Sequence, residues 1–128
     1  GVKTGQWNGW VAGQAEEMVK GGSVAGIRQA TRAGRPAIVL GFQNTSAFED
    51  RWEFIQIFKD VGVGIAQMTY NTQNLVGGGC YESTDGGLSD FGHEVVVELN
   101  RVGMLCDLSH VGPKTSRDVI AASRKPVA

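Results

Sequence analysis

Polar side chains gather at three places where apolar runs end, and these are where the sequence could do chemistry. "PAIVLGF" (36–42) runs into Gln43 and Asn44, "VGIAQMTY" (63–70) ends on Tyr70 and leads to Asn71, and "MLCDLS" (104–109) leads to His110. Neutral imidazole is the commonest protein metal ligand, and a strand end offers it rigid support. The chain has only two histidines, so a metal reading depends on His110. Each position also has a plainer role. Gln43 and Asn44 could open a turn and cap a helix, and Tyr70 could pack its ring on a rim and hydrogen-bond its hydroxyl. An isolated strand-end histidine is more often a donor to a nearby carbonyl than a ligand. Asp107 lies three residues before His110, so in a continuing strand the two face opposite ways. It suits an orienting role better than a shared metal.

Other candidates are weaker. His93 beside Glu94 reads as a solvated helix residue, and Glu94 and Glu98, four apart on one helix face, read as solvated too. Gly77–Gly79 lacks the following GK[ST] of a phosphate cradle and reads as a flexible loop. Cys80 and Cys106 form no CxxC pair, so no zinc knuckle or redox motif is supported. Cys106, inside an apolar run, reads as a buried thiol, and nothing requires a disulfide.

The elements that would position these residues alternate. A helix is expected over about Trp10 to Lys20, capped by Asn8 and ended by Gly21-Gly22, and a second from Ser23 to Gly34. "PAIVLGF" suits a strand buried on both faces. Ser46 and Glu49 have capping-box spacing before a stripe of Phe48, Trp52, Ile55 and Phe58. Strand 63–70 precedes a loop over 71–88, longer than the roughly 12–15 residues that structureless loops usually reach. Helix 89–103 carries Phe91, Val95, Leu99 and Val102 on one stripe, strand 104–109 follows, and Pro113 opens a last helix before "PVA". The order α-α-β-α-β-α-β-α-β requires a parallel sheet with right-handed crossovers. A doubly wound sheet or a (β/α)8 barrel fits, and ligands of both sit at the carboxyl ends of strands. A barrel takes about 250 residues, so this chain would be roughly half of one.

Composition bounds the classes. A net charge of −1 with 41% hydrophobic residues fits a globular protein. There is no basic run for nucleic acid, and no apolar run reaches the ~20 residues of a transmembrane helix. The start at Gly1, without a signal-peptide pattern, and the end at "SRKPVA" suggest a single domain, residues 1–128, cut from a longer chain.

Several segments together resemble the membrane dipeptidase (renal dipeptidase) family of zinc metallopeptidases. They are "AGIRQATRAGRPAIVLGFQN" (25–44), "VGIAQMTYNTQNLV" (63–76), "GLSDFGHEVVVELNRVGMLCDLSHVG" (87–112) and "SRKPVA" (123–128). The resemblance implies part of a (β/α)8 TIM barrel of the metal-dependent hydrolase type, with one or two zinc ions and a dipeptide substrate. His110 matches the first of two later histidine ligands. The second would follow Ala128, and an H-x-D pair would precede Gly1. Gln43 stands where the family has a bridging glutamate, and Tyr70, followed by Asn71, stands where a substrate-contacting histidine is usual. The expected metal residues are therefore His110 and Gln43, and the expected substrate contacts Tyr70 and Asn71. A neutral amide cannot bridge two zincs as a carboxylate does, so the centre is expected to be altered, with one metal or a different substrate. The expected function is a zinc dipeptidase, soluble and cytoplasmic or periplasmic if bacterial, with a homodimer allowed. The alternatives are a related amide or lactone hydrolase, or a catalytically silent barrel that binds a ligand.

Overall fold

The computed structural model describes residues 2–14 and 17–128. Helix α1 (Val2–Gly13) leads into strand β1 (Val19–Lys20), helix α2 (Val24–Arg32), and strands β2 (Ala37–Ile38) and β3 (Leu40–Phe42). A 3-10 turn (Thr45–Phe48) precedes helix α3 (Phe54–Asp60), and strand β4 (Val63–Gln67), helix α4 (Asp90–Val102), strand β5 (Leu105–Asp107) and helix α5 (Pro113–Ala122) complete the order. All the strand pairs are parallel, as the alternating pattern requires. β1 pairs with β2 in one sheet, and β3, β4 and β5 lie side by side in a second, open one. "PVA" continues that sheet, because Val127 bridges to Cys106 in parallel.

The sheet's two faces differ. Ala66, Met68 and Cys106 join Val95, Val96, Leu99 and Val119 from the helices in one buried cluster. Phe42 and Phe58 meet edge to face at 4.8 Å, and Phe42 meets Phe48 at 5.9 Å. Such pairs add about 0.5–1.5 kcal/mol beyond the area they bury. Helix α4 is fixed at both ends: Ser89 Oγ accepts from the Gly92 amide at 2.9 Å, and Gly103 ends the helix in the left-handed conformation.

Several expectations change. The first helix lies earlier, at Val2–Gly13. Asn8 is inside it and its amide nitrogen donates to Val61 O at 2.6 Å, so it caps nothing. Expected helix residues 15 and 16 lie outside the described residues. Val19–Lys20, expected to be helical, form a strand because Ala37–Ile38 offer a parallel partner. "PAIVLGF" is divided between the two sheets at the exposed Val39, and its strands are half-buried or exposed. The helix expected from Ser46 splits instead. Thr45 Oγ1 donates to Met68 O at 2.9 Å and holds the first turn on β4, while Asn44 Oδ1 caps it by accepting from the Ser46 amide at 3.2 Å. Glu49 takes a φ of 54° after that turn, so no capping box forms, and Trp52 remains 39% exposed. Glu98 is also not solvated. It is 6% exposed and takes a bidentate bond from Arg101, at 2.7 and 2.6 Å, and Arg101 reaches on to Gln56 of α3.

Candidate metal centre

Beyond the ends of β4 and β5 the chain turns sharply, and the turns bring together three of the four expected site residues. Asn71 and His110 both adopt left-handed backbone, with φ of 63° and 60°. Asn and His are among the few residue types that enter this region without a large penalty. β5 ends at Asp107, so the strand alternation expected to separate the two residues does not extend to His110. Asp107 instead accepts the Ser109 amide at 2.9 Å, which tightens the exit from β5.

The His110 ring lies 4.7 Å from the Tyr70 ring, tilted by 36°, and His110 Nδ1 is 2.8 Å from Asn71 Oδ1. An amide oxygen only accepts, so Nδ1 carries the proton. In the neutral ring this selects the tautomer whose Nε2 lone pair is available. A ligating histidine is characteristically oriented in this way by a partner on its other nitrogen. The imidazole is exposed and therefore accessible to an ion. Gln43 is exposed just past β3, and since the order is β3-β4-β5, one strand separates it from His110. Adjacent strands are about 4.8 Å apart, so roughly 10 Å separates the tips of β3 and β5. Among the described residues no three His, Cys, Asp or Glu side chains converge to hold an ion.

The loop over residues 71–88, expected to be flexible at its glycines, is a packed support for this cluster. Asn74 Nδ2 donates to Asn44 Oδ1, Thr45 Oγ1 and Met68 O, at 2.8, 3.0 and 2.9 Å. Gly77, Gly78 and Gly79 are buried, and Gly79 bridges to Val111. The Cys80 amide donates to His110 O at 3.0 Å and the Tyr81 amide to Asn71 O at 2.7 Å, so both turns are held from the same loop. Cys80 and Cys106 are free thiols, as expected. Burial pushes the Cys106 thiol up to about 11.

Sequence reasoning missed Asp85. Its carboxylate accepts from Thr115 Oγ1, from the Gly87, Lys114 and Thr115 amides, at 2.6, 2.9, 2.7 and 2.9 Å. Burial works against its ionisation, but the bonds from Thr115, Gly87 and Lys114 outweigh it and hold the carboxyl at about 2 against an ordinary 3.8. The signal was indirect. Gly112 precedes Pro113 with no side chain to cap α5, so a cap had to come from elsewhere in the chain.

Residues 8–128 match the family described as "Membrane dipeptidase (Peptidase family M19)". The chain belongs to the M19 membrane dipeptidase family. An amidohydrolase from Pseudomonas aeruginosa shares 53% identity and superposes with a TM-score of 0.91, covering 97% of this chain and 38% of that one. The probable dipeptidase PvdM from the same organism shares 25% identity with a TM-score of 0.88, covering 98% of this chain and 34% of that one. An uncharacterized dipeptidase of Schizosaccharomyces pombe is 32% identical over 98 residues, which is 73% of this chain and 24% of that protein. This M19 chain thus spans 24–38% of the length of these relatives. No helix among its described residues is long and apolar enough to cross a membrane.

Proposed function

We propose that the chain is part of a single (β/α)8 barrel domain that hydrolyses dipeptides with zinc, and that His110 is one of its metal ligands. The observation that carries this is the His110–Asn71 bond in an M19 chain: Nδ1 is committed to Asn71, and Nε2 is free at a strand tip. The other ligands would come from parts of the barrel beyond these residues. When bound, zinc supplies Lewis acidity toward the scissile carbonyl and acidifies a water toward neutral pH. The chain's own residues orient the partners. Asn71 holds the imidazole tautomer. Tyr70, packed against His110, presents a hydroxyl that can donate to a substrate carbonyl or a tetrahedral oxygen. Gln43, a neutral amide, suits a centre with one ion, because it brings no negative charge to balance a second.

Metal analysis of the full-length protein, with dipeptide hydrolysis before and after chelation, tests this. About one zinc per chain and activity abolished by the chelator are expected. Two tightly bound zincs would sink the single-ion version, and activity indifferent to chelation would sink the metal mechanism. A second reading, hydrolysis of a non-peptide amide or a lactone, is favoured by Gln43, Tyr70 and the 53% identity to a protein named an amidohydrolase. It predicts zinc-dependent turnover of such substrates with no turnover of L-D dipeptides.

A further inference from the structure

We infer that Asp85 is a positioning residue for His110, bracing the turn that carries the imidazole against the start of α5. This rests on the metal-centre reading above. A carboxylate at an uncapped helix start would normally concern that helix alone. Here one of its partners passes the contact onward. Thr115 Oγ1 donates its proton to Asp85 Oδ1, and with a lone pair accepts from the Gly78 amide at 2.9 Å. The Gly78 carbonyl in turn accepts the Gly112 amide at 2.9 Å, and the neighbouring Cys80 amide donates to His110 O at 3.0 Å. The turn from His110 to Gly112 is therefore bonded at both ends to the loop that Asp85 and Thr115 hold. The fit is close. A Cβ at Gly78 would lie 2.5 Å from Asp85 Oδ1, and one at Gly112 2.3 Å from Oδ2, so both glycines are needed to admit the carboxylate.

Two variants of the full-length protein separate a relay from a simple cap. Asp85→Asn disturbs both, whereas Thr115→Val removes only the hydroxyl link and leaves Asp85 to cap the Lys114 and Thr115 amides. Val119→Ala, in the fully buried position on α5, is the control for general loss of stability. The first measurement is amide hydrogen exchange at Cys80 and Gly112 in metal-free protein, and the second is the affinity for zinc alone. Both relay variants should speed exchange at these amides at least about tenfold. They should also weaken zinc binding by about 10–100-fold, the usual effect of losing a residue that orients a metal ligand. Val119→Ala, at a comparable fall in melting temperature, should do neither. Relay variants that match Val119→Ala in either measurement would overturn the inference. A wild-type protein that takes up no zinc would overturn the metal-centre reading instead, and the metal-free exchange would still decide whether Asp85 holds the His110 turn.

Discussion

From Phe48 onward the buried apolar side chains form one cluster, whereas before β3 the described residues bury only Val11 and Ala30 among their apolar side chains. The earlier segment leaves Val2, Trp7, Trp10 and Val24 at least half exposed, and its two strands have two residues each. Its side-chain ties to the rest include Asn8 and Lys20, which both reach Val61 O. Order in the first region thus depends on backbone pairing and a few long side chains. In the second it depends on packing, and there His110 O accepts from both the buried Thr69 hydroxyl and the Cys80 amide. The difference teaches that the candidate site sits on the exposed strand ends of the region that carries the buried cluster, and not on the loosely packed first region.

The contrast breaks most readily at Phe48. Phe48→Ala should cost about 3–5 kcal/mol in denaturant unfolding of the full-length protein, as aromatic truncations in cores do. Trp10→Ala should cost under about 1 kcal/mol, and an equal loss at both would show that the first region is as tightly held as the second. Helix caps give a smaller and finer comparison. Ser89 Oγ both accepts from Gly92 and donates to Leu75 O at 2.5 Å, while Ser23 Oγ accepts only from Gly26 at 3.1 Å. Thermal melts of Ser89→Ala should show a loss of about 1–2 kcal/mol, and of Ser23→Ala about 0.5 kcal/mol; the reverse order would contradict the picture. The smallest perturbation is a thiol count. A thiol reagent at neutral pH should label the exposed Cys80 in the native protein and reach Cys106 only after denaturation. Rapid native labelling of both would mean that the second region opens.

Elements with repeated signals were legible in the sequence. Helix α4 carries the apolar stripe expected over 89–103, and β4 and β5 stand out as apolar runs between helices. The three strand ends, and with them Tyr70, Asn71 and His110, followed from the parallel arrangement. What could not be read depended on partners distant in sequence. Val19–Lys20 are a strand only because Ala37–Ile38 lie beside them. The helix expected at Ser46 is interrupted because Thr45 is bonded to Met68, just past the neighbouring strand β4. Asp85 carries no local pattern; its meaning comes from Thr115, thirty residues on. The pairing of His110 with Asn71 is likewise a meeting of two turns, whose partners lie 39 positions apart in sequence.

The left-handed backbone at His110 acts as a filter on mutation. A φ of 60° admits glycine freely and Asn, Asp and His with little strain, while β-branched and bulky side chains are penalised. The side chains it admits most easily are largely those able to bind a cation. A neutral change at this position would therefore tend to keep a donor atom over the sheet, or remove the side chain altogether with glycine. An apolar side chain would have to overcome the backbone first, so the turn itself guards the chemistry of the position, independently of any selection on activity.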